Sequence, residues 1–496
     1  MKKNNRSTPI NPITLVFLLL SLLFWMTACA LVDDIQPTAQ SAPSAQMEPA
    51  SPIEPEPASV QDTTGQPQNG LSTIGPWLLL STESGLWAMN EDGSHLTQLT
   101  EEVIFAPAEL NAAISQNNSY VAYITANDRA TLQGLILKII SLPEGKLEHT
   151  IPLTVSENEP QPEHEMCDPK YEAARAITIG NSIAWSPDGT QLAFIGSLQG
   201  SSADVYLYSL SDESITRLSE ETTQTYDLHW APGGKNLIYF SATCFGTGAG
   251  FNMDAVWALR PNEKSVTELY KTDEQSWGES FIGWGYGESE SFYVATISGC
   301  PYKNLRMVDI ESKMVAPIHT ECFDDVTTGP TGMLAVITSS DFSDQPGLYI
   351  YGEHLAMDKY IPEPNGRSLQ FDTCHILYSV AGNQGPEIHS FNICQAGDYY
   401  GKGDFPVFFA GGERWVWNEG GSFHLSGNNI NAPVVLSKTP AFYPFAITTG
   451  NQQDGFHDRL FFSSNDNLYM AVAPDYQPIP LVNNLRLLSP PVLVWR

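Results

Sequence analysis

Few side chains in this sequence are grouped as a reaction would need them. The densest set of titratable residues lies in 157–172, where Glu159, Glu163, His164, Glu165 and Asp168 fall close together and could contact a cation or a protein partner. The same charge run also reads as a solvated loop. Gly283-Trp284-Gly285-Tyr286-Gly287 sets two aromatic rings among glycines, an arrangement able to stack on the apolar faces of sugar rings. Trp284, however, aligns roughly with Trp185 and Trp230, which reads as core. Glu163, His164, Asp168, Trp284 and Tyr286 are therefore the candidate ligand contacts. The ten histidines are scattered, and several, His229 and His389 among them, fall in strands as structural residues do.

Nucleophilic, metal and phosphate chemistry find no frame. There is no Gly-x-Ser-x-Gly elbow, no His-Glu-x-x-His pair, no phosphate loop, no EF-hand pattern and no Cys-x-x-Cys. No catalytic residue, metal or cofactor is assigned. A pair of carboxylates brought together by folding could still hydrolyse a glycosidic bond, and sequence spacing does not reveal such a pair.

Cys29 is a different case. Lys2, Lys3 and Arg6 form a basic start, and residues 13–26 are apolar but for Thr14 and Ser21, a stretch too short for a permanent membrane span. Met26-Thr27-Ala28-Cys29 follows and resembles the bacterial lipobox, in which the cysteine receives diacylglycerol before cleavage. The resemblance implies a lipoprotein signal peptide over 1–28 and a protein anchored outside the cytoplasm, to the cell membrane or the outer membrane. Each buried acyl methylene contributes roughly 0.8 kcal/mol to such an anchor. Residues 29–70 then hold seven prolines in an Ala, Ser, Gln and Glu background, which reads as a disordered, semi-rigid spacer.

The chain has a formal charge of −32, and losing the three basic leader residues leaves 21 basic against 56 acidic ones, or −35. Such a field repels nucleic acid, and no basic stripe offsets it. An envelope protein or a glycan remains as partner. Only 16% of residues are charged while 73 are Gly or Pro, a balance that favours strands and turns over long helices.

What must position any site is a repeat. Ile183-Ala184-Trp185-Ser186-Pro187-Asp188-Gly189-Thr190-Gln191-Leu192-Ala193-Phe194 recurs 45 residues later from Leu228-His229-Trp230-Ala231-Pro232-Gly233-Gly234, and a third copy begins at Ala112-Ala113-Ile114-Ser115. Each copy is a strand, a tight turn and a second strand, followed by another pair such as Val205-Tyr206-Leu207-Tyr208 and Thr216-Arg217-Leu218-Ser219. Four antiparallel strands per 40 to 55 residues make a propeller blade. Trp-Ser-Pro-Asp-Gly followed by Leu-Ala-Phe resembles the blade motif of TolB-type, WD40-like propellers, which also form the non-catalytic domain of prolyl oligopeptidase-like peptidases. The resemblance implies an all-β single propeller over 71–496 and an envelope-associated interaction role.

Blade starts can be counted near 76, 105, 178, 225, 279, 326, 367, 404 and 441. Rings usually hold four to eight blades, so two late units are expected to merge, giving eight blades, with seven next. Residues 491–496 read as a first strand that joins Trp77-Leu78-Leu79-Leu80 and Leu86-Trp87-Ala88-Met89, closing the ring. Six further cysteines suggest disulfides in an exported protein. Cys374 and Cys394 would face each other across a hairpin, Cys300 and Cys322 could close one blade, and Cys167 is then left for Cys244.

The function expected is a membrane-anchored extracytoplasmic binding or protein-interaction module without catalysis of its own. The alternative is a propeller glycoside hydrolase or polysaccharide lyase acting outside the cell.

Overall fold

The three clearest repeats fold alike because their turns close the same hydrogen bonds. In Ser186-Pro187-Asp188-Gly189, the Gly189 N–H donates to the Ser186 carbonyl at 2.8 Å with the glycine at φ +68°. The Asp188 carboxylate accepts from the Ser186 hydroxyl at 2.5 Å and from the Thr190 N–H at 3.1 Å. Gly234 donates to Ala231 at 2.9 Å and Asn118 to Ser115 at 2.7 Å, Asn118 adopting φ +54° without being glycine. Each turn returns the chain antiparallel, so a first strand is always zipped to a second.

The structure is a computed structural model. It describes residues 70–494 except 73–74, 106–109, 162–164, 246–250, 273–275, 286–289, 330–331, 353–354, 364, 373–374, 383–384, 393–398, 403, 410–413, 428–432 and 450–456. Eight four-stranded sheets and one three-stranded sheet follow one another along these residues. Blade 1 orders Val492–Val494, Trp77–Thr82, Gly85–Asn90 and Thr97–Thr100. Blade 2 has Tyr120–Asp128, Gln133–Ser141 and Leu147–Pro152, with a single bridge from Ile114 to Val121 in place of its first strand. Blades 3, 4 and 5 begin at Ile183–Trp185, Gln224–Trp230 and Gly278–Trp284. Blades 6 to 9 begin at Asp325–Thr328, Gly366–Asp372, Asp404–Phe409 and Phe442–Thr449.

Burial follows position within the blade. Second strands such as Trp77–Thr82 and Leu334–Thr338 are buried throughout, because both faces of a blade are covered by its neighbours; they accordingly read as continuous apolar runs. Fourth strands such as Met357–Pro362 are largely exposed. Trp77, Phe194, Phe240, Phe292, Phe423 and Phe461 fill the space between sheets. Across blades 2 and 3, the Trp185 indole donates to the Ala113 carbonyl at 3.0 Å and stacks beside Tyr120.

The described residues thus form nine blades, which corrects the expectation of eight or seven. Every start counted in the sequence opens its own sheet. The late units lack the Ser-Pro-Asp-Gly turn yet pair fully: Leu334–Thr338 with Gly347–Tyr351, and His375–Gly382 with Gly385–Asn392. Glycine lets the crowded first strands approach. A Cβ on Gly329 would lie 1.9 Å from the Phe371 ring, and one on Gly366 would lie 2.3 Å from Ile337 Cδ1. Merging units to suit common ring sizes ignored this close packing between blades 6 and 7.

Closure pairs Trp77 with Val494, Leu78 with Leu493 and Leu79 with Val492. Helix α1 (Pro169–Thr178), in the connection between blades 2 and 3, is the longest departure from β structure among the described residues. Val494 is only 1% exposed. Val494→Asp would bury an unpaired carboxylate in the closing strand and should lower stability by about 3 kcal/mol or more. Denaturant unfolding followed by tryptophan fluorescence checks this; an unchanged midpoint would mean that the C-terminal strand does not hold the ring.

Candidate functional site

Strand alternation gives the propeller two distinct ends. First-to-second and third-to-fourth turns lie at one end of every blade. Second-to-third turns and the connections between blades lie at the other, here termed the connection face.

The acidic insertion sits on the connection face, and its ordered part is occupied structurally. Cys167 is disulfide-bonded to Cys244, near the end of the second strand of blade 4 (Leu237–Phe245). Asp168 caps α1, accepting from the backbone N–H groups of Lys170 and Tyr171 at 3.1 Å each, with Pro169 at the first helical position. Buried Glu172 accepts from the Phe245 N–H at 2.6 Å, and Arg175 donates to the Phe245 carbonyl. Helix, disulfide and this double clamp fix the insertion over blades 3 and 4. Glu163 and His164 lie outside the described residues.

The remaining sequence candidates separate. Trp284, half-buried, packs edge-on to Phe281 and Phe292 against the core, with ring centroids 5.6 and 5.8 Å away. Tyr286 lies outside the described residues, as do Cys29, Cys374 and Cys394. Cys300 and Cys322 form the second disulfide, joining a second-to-third turn to the end of the fourth strand in blade 5. His229 Nε2 lies 3.1 Å from Asp227 Oδ2, and the ring stacks on Phe281 at 3.9 Å. His389 lies between Glu363 at 3.3 Å and Glu387 at 3.6 Å, and the hydrogen bond its ring donates to the Glu363 carboxylate raises its pKa.

Buried carboxylates also have partners within their blades. Arg306 reaches both oxygens of Glu279 at 2.6 Å and lies over the Tyr270 ring. Asp204, fully buried, meets Arg217 at 2.8 Å, yet burial pushes its carboxyl up to about 7 despite that guanidinium. Among the described residues, no group of three or more His, Cys, Asp or Glu could hold a metal ion.

A site that sequence reading missed lies on the connection face where blades 8, 9 and 1 meet. Blade 9 opens with Phe442-Tyr443-Pro444-Phe445. Phe442 pairs with Ser463 and Phe445 with Phe461, so the first strand holds one extra residue. This bulge places the bulky Tyr443 at φ +51°, a strained conformation, and turns two aromatic rings outward. Phe442 is 61% exposed and Tyr443 36%, whereas Phe461 and Phe462 on the partner strand are buried.

Clefts lie on both sides of this ridge. One, of about 560 Å³, is walled by Phe442, Tyr443, Asn465, Asp466, Arg486 and Leu487. Asn465 and Asp466 form a two-residue turn with both at positive φ, as a tight hairpin of the right twist requires. Arg486 pairs with Glu83 at 3.0 Å, and Leu487 bridges to Thr82, tying this wall to blade 1. The other cleft, of about 240 Å³, is lined mainly by Val407, Phe423, Ala441, Phe442 and Pro444. Asn418 fixes its floor, its amide donating to the Ala441 carbonyl at 3.0 Å and accepting from the Ala441 N–H at 2.9 Å. The signal available in sequence was Pro444: a proline inside an apolar strand marks a bulge or an edge.

Compared by sequence, the chain matches no family model and no curated protein. Compared by structure, it is similar to a prolyl endopeptidase at 11% identity and a TM-score of 0.41, over 80% of this chain and 54% of that one. It is similar to dipeptidyl peptidase 4 of Porphyromonas gingivalis at 9% identity and a TM-score of 0.46, over 78% and 64%. TolB from Acinetobacter baumannii matches at 16% identity and a TM-score of 0.31, over 59% and 64%. The chain spans 54% to 64% of the length of these three proteins. Likeness of this degree carries no argument about activity, and the assignment to the β-propeller class rests on the sheet order.

The raised Asp204 pKa has a consequence for stability that can be measured across pH. Its folded value of about 7 lies above the unfolded value near 3.9, so the folded state holds a proton that the unfolded chain has released between about pH 4 and 7. Asp204 therefore makes stability fall as pH rises through that window. Asp204→Asn should flatten this fall in denaturant titrations across the window; a slope equal to that of the parent would show that Asp204 ionises at an ordinary pH.

Proposed function

We propose that this chain is an extracytoplasmic binding module, tethered by lipid on Cys29, that offers the connection face of its propeller to an envelope ligand. The observation that carries the reading is the Phe442–Tyr443 ridge: two aromatic rings held outward by a strained bulge between two clefts. The same one-residue bulge occurs in the first strands of blades 4, 7 and 8, with Asp227 at φ +52° in blade 4, so what sets blade 9 apart is that its bulge carries two exposed aromatic rings whose area forgoes burial. Met166 at 78% and Trp277 at 45% exposure add apolar surface to the same face.

The tether rests on the leader and on Met26-Thr27-Ala28-Cys29. The proline-rich composition of residues 29–70 is that of a semi-rigid spacer between the lipid and the propeller. The ligand would then be captured beside the membrane.

Two measurements test the proposal. Metabolic labelling with a fatty acid should mark the chain and should fail to mark Cys29→Ser, which is expected in the soluble fraction; equal labelling of both would remove the tether. Immobilised full-length protein, extracted in detergent, should retain envelope material at least tenfold better than the double variant Phe442→Ala/Tyr443→Ala, with both proteins melting alike. Equal retention would move the site elsewhere.

A further inference from the structure

We infer that the ligand held across the Phe442–Tyr443 ridge is an uncharged polysaccharide chain, several sugar rings long, an inference that rests on the proposal that this ridge is the binding seat. The rings supply flat, electron-rich faces, which complement the C–H face of a pyranose. The wall opposite supplies what the sugar's edges need. The side chains of Asn465 and Asp466 have no hydrogen-bond partner among the described residues, leaving an amide and a carboxylate to engage hydroxyl groups beside the rings.

Charge selects against an acidic polymer. The one cation lining the larger cleft, Arg486, is paired with Glu83 at 3.0 Å, and Asp466 adds a negative charge to the same wall. The chain as a whole has a formal charge of −32. A polyanion would meet repulsion both locally and at long range.

Backbone geometry selects against a peptide added as a strand. Such a peptide needs a regular run of free N–H and C=O groups along an edge. Here the bulge between Phe442 and Phe445 breaks the run, and Pro444 has no N–H. The clefts of about 560 and 240 Å³ share Phe442 and Tyr443, so a chain of several rings can occupy both by passing over the ridge, which a single sugar does not.

The test is affinity electrophoresis of the full-length protein in detergent through gels containing a soluble β-glucan, a galactomannan, a mannan or alginate. A fluorescent proline-rich peptide is titrated separately. Retardation is expected in at least one neutral polymer and not in alginate. It should be competed by an oligosaccharide of that polymer of about six units and not by its monosaccharide. Phe442→Ala, and Phe442→Leu as a variant that keeps apolar bulk without the ring, should each weaken retardation at least tenfold. Melting temperatures should be unchanged, since the ring is exposed. Retardation by alginate, or tight binding of the peptide, that is lost in the Phe442 variants would overturn the uncharged-glycan inference and leave the ridge as the seat. Binding of a neutral polymer unaffected by either variant would overturn both. Absence of retardation by every neutral polymer would overturn the inference, and the envelope-retention comparison then decides the seat separately.

Discussion

The closure of one sheet by residues from opposite ends of the propeller is the constraint on which the rest depends. Blade 1 gains its first strand only when Val492–Val494 pairs with Trp77–Thr82, three residue pairs that span the whole domain in sequence. Without them, the row of backbone groups along Trp77–Thr82 faces no partner, and the apolar surface between blades 9 and 1 opens to water. Leu78, Leu80 and Met89 pack with Phe461, Leu468, Leu485 and Leu487 across that same seam. The seam also supports the clefts: Arg486 and Leu487 reach Glu83 and Thr82 from the connection that leads into the closing strand. Fold closure and the walls of the site therefore share one segment of chain.

The two disulfides and helix α1 show where the domain needs reinforcement beyond sheet packing. Both bonds lie toward the connection face, one across blades and one within blade 5. The insertion held by the Cys167–Cys244 bond contains buried Glu172, which would be costly unpaired and is satisfied by Phe245 and Arg175. At the opposite end, the first-to-second turns of blades 2, 3 and 4 close with the same backbone hydrogen bond.

Architecture was legible because it depends on periodic features. The 45-residue offset between Trp185 and Trp230 gave the blade, and the unmatched strands at Trp77 and Val492 gave the closure. The nine starts were visible too, and the count failed only where general ring sizes were allowed to override it. The close approach of Gly329 to Phe371, which lets the blades crowd, is a contact between residues 42 positions apart that no local pattern announces. The site was less legible for a similar reason. Composition is unusual at Trp284 and at the acids beside Cys167, yet Trp284 is packed and Asp168 caps a helix. Asp168-Pro169 was itself a readable helix start. Phe442 and Tyr443 look like ordinary strand residues until the extra residue before Phe445 turns them out, and only Pro444 hinted at it.

Hydrogen exchange of the full-length protein with and without a neutral oligosaccharide reports where the ligand sits without altering any residue. Added protection is expected only in the backbone near residues 440–445, 463–467 and 483–488, the ridge and the two walls of the larger cleft. Protection centred on the insertion over blades 3 and 4, or on the turns of the opposite end, would contradict the ridge as the seat.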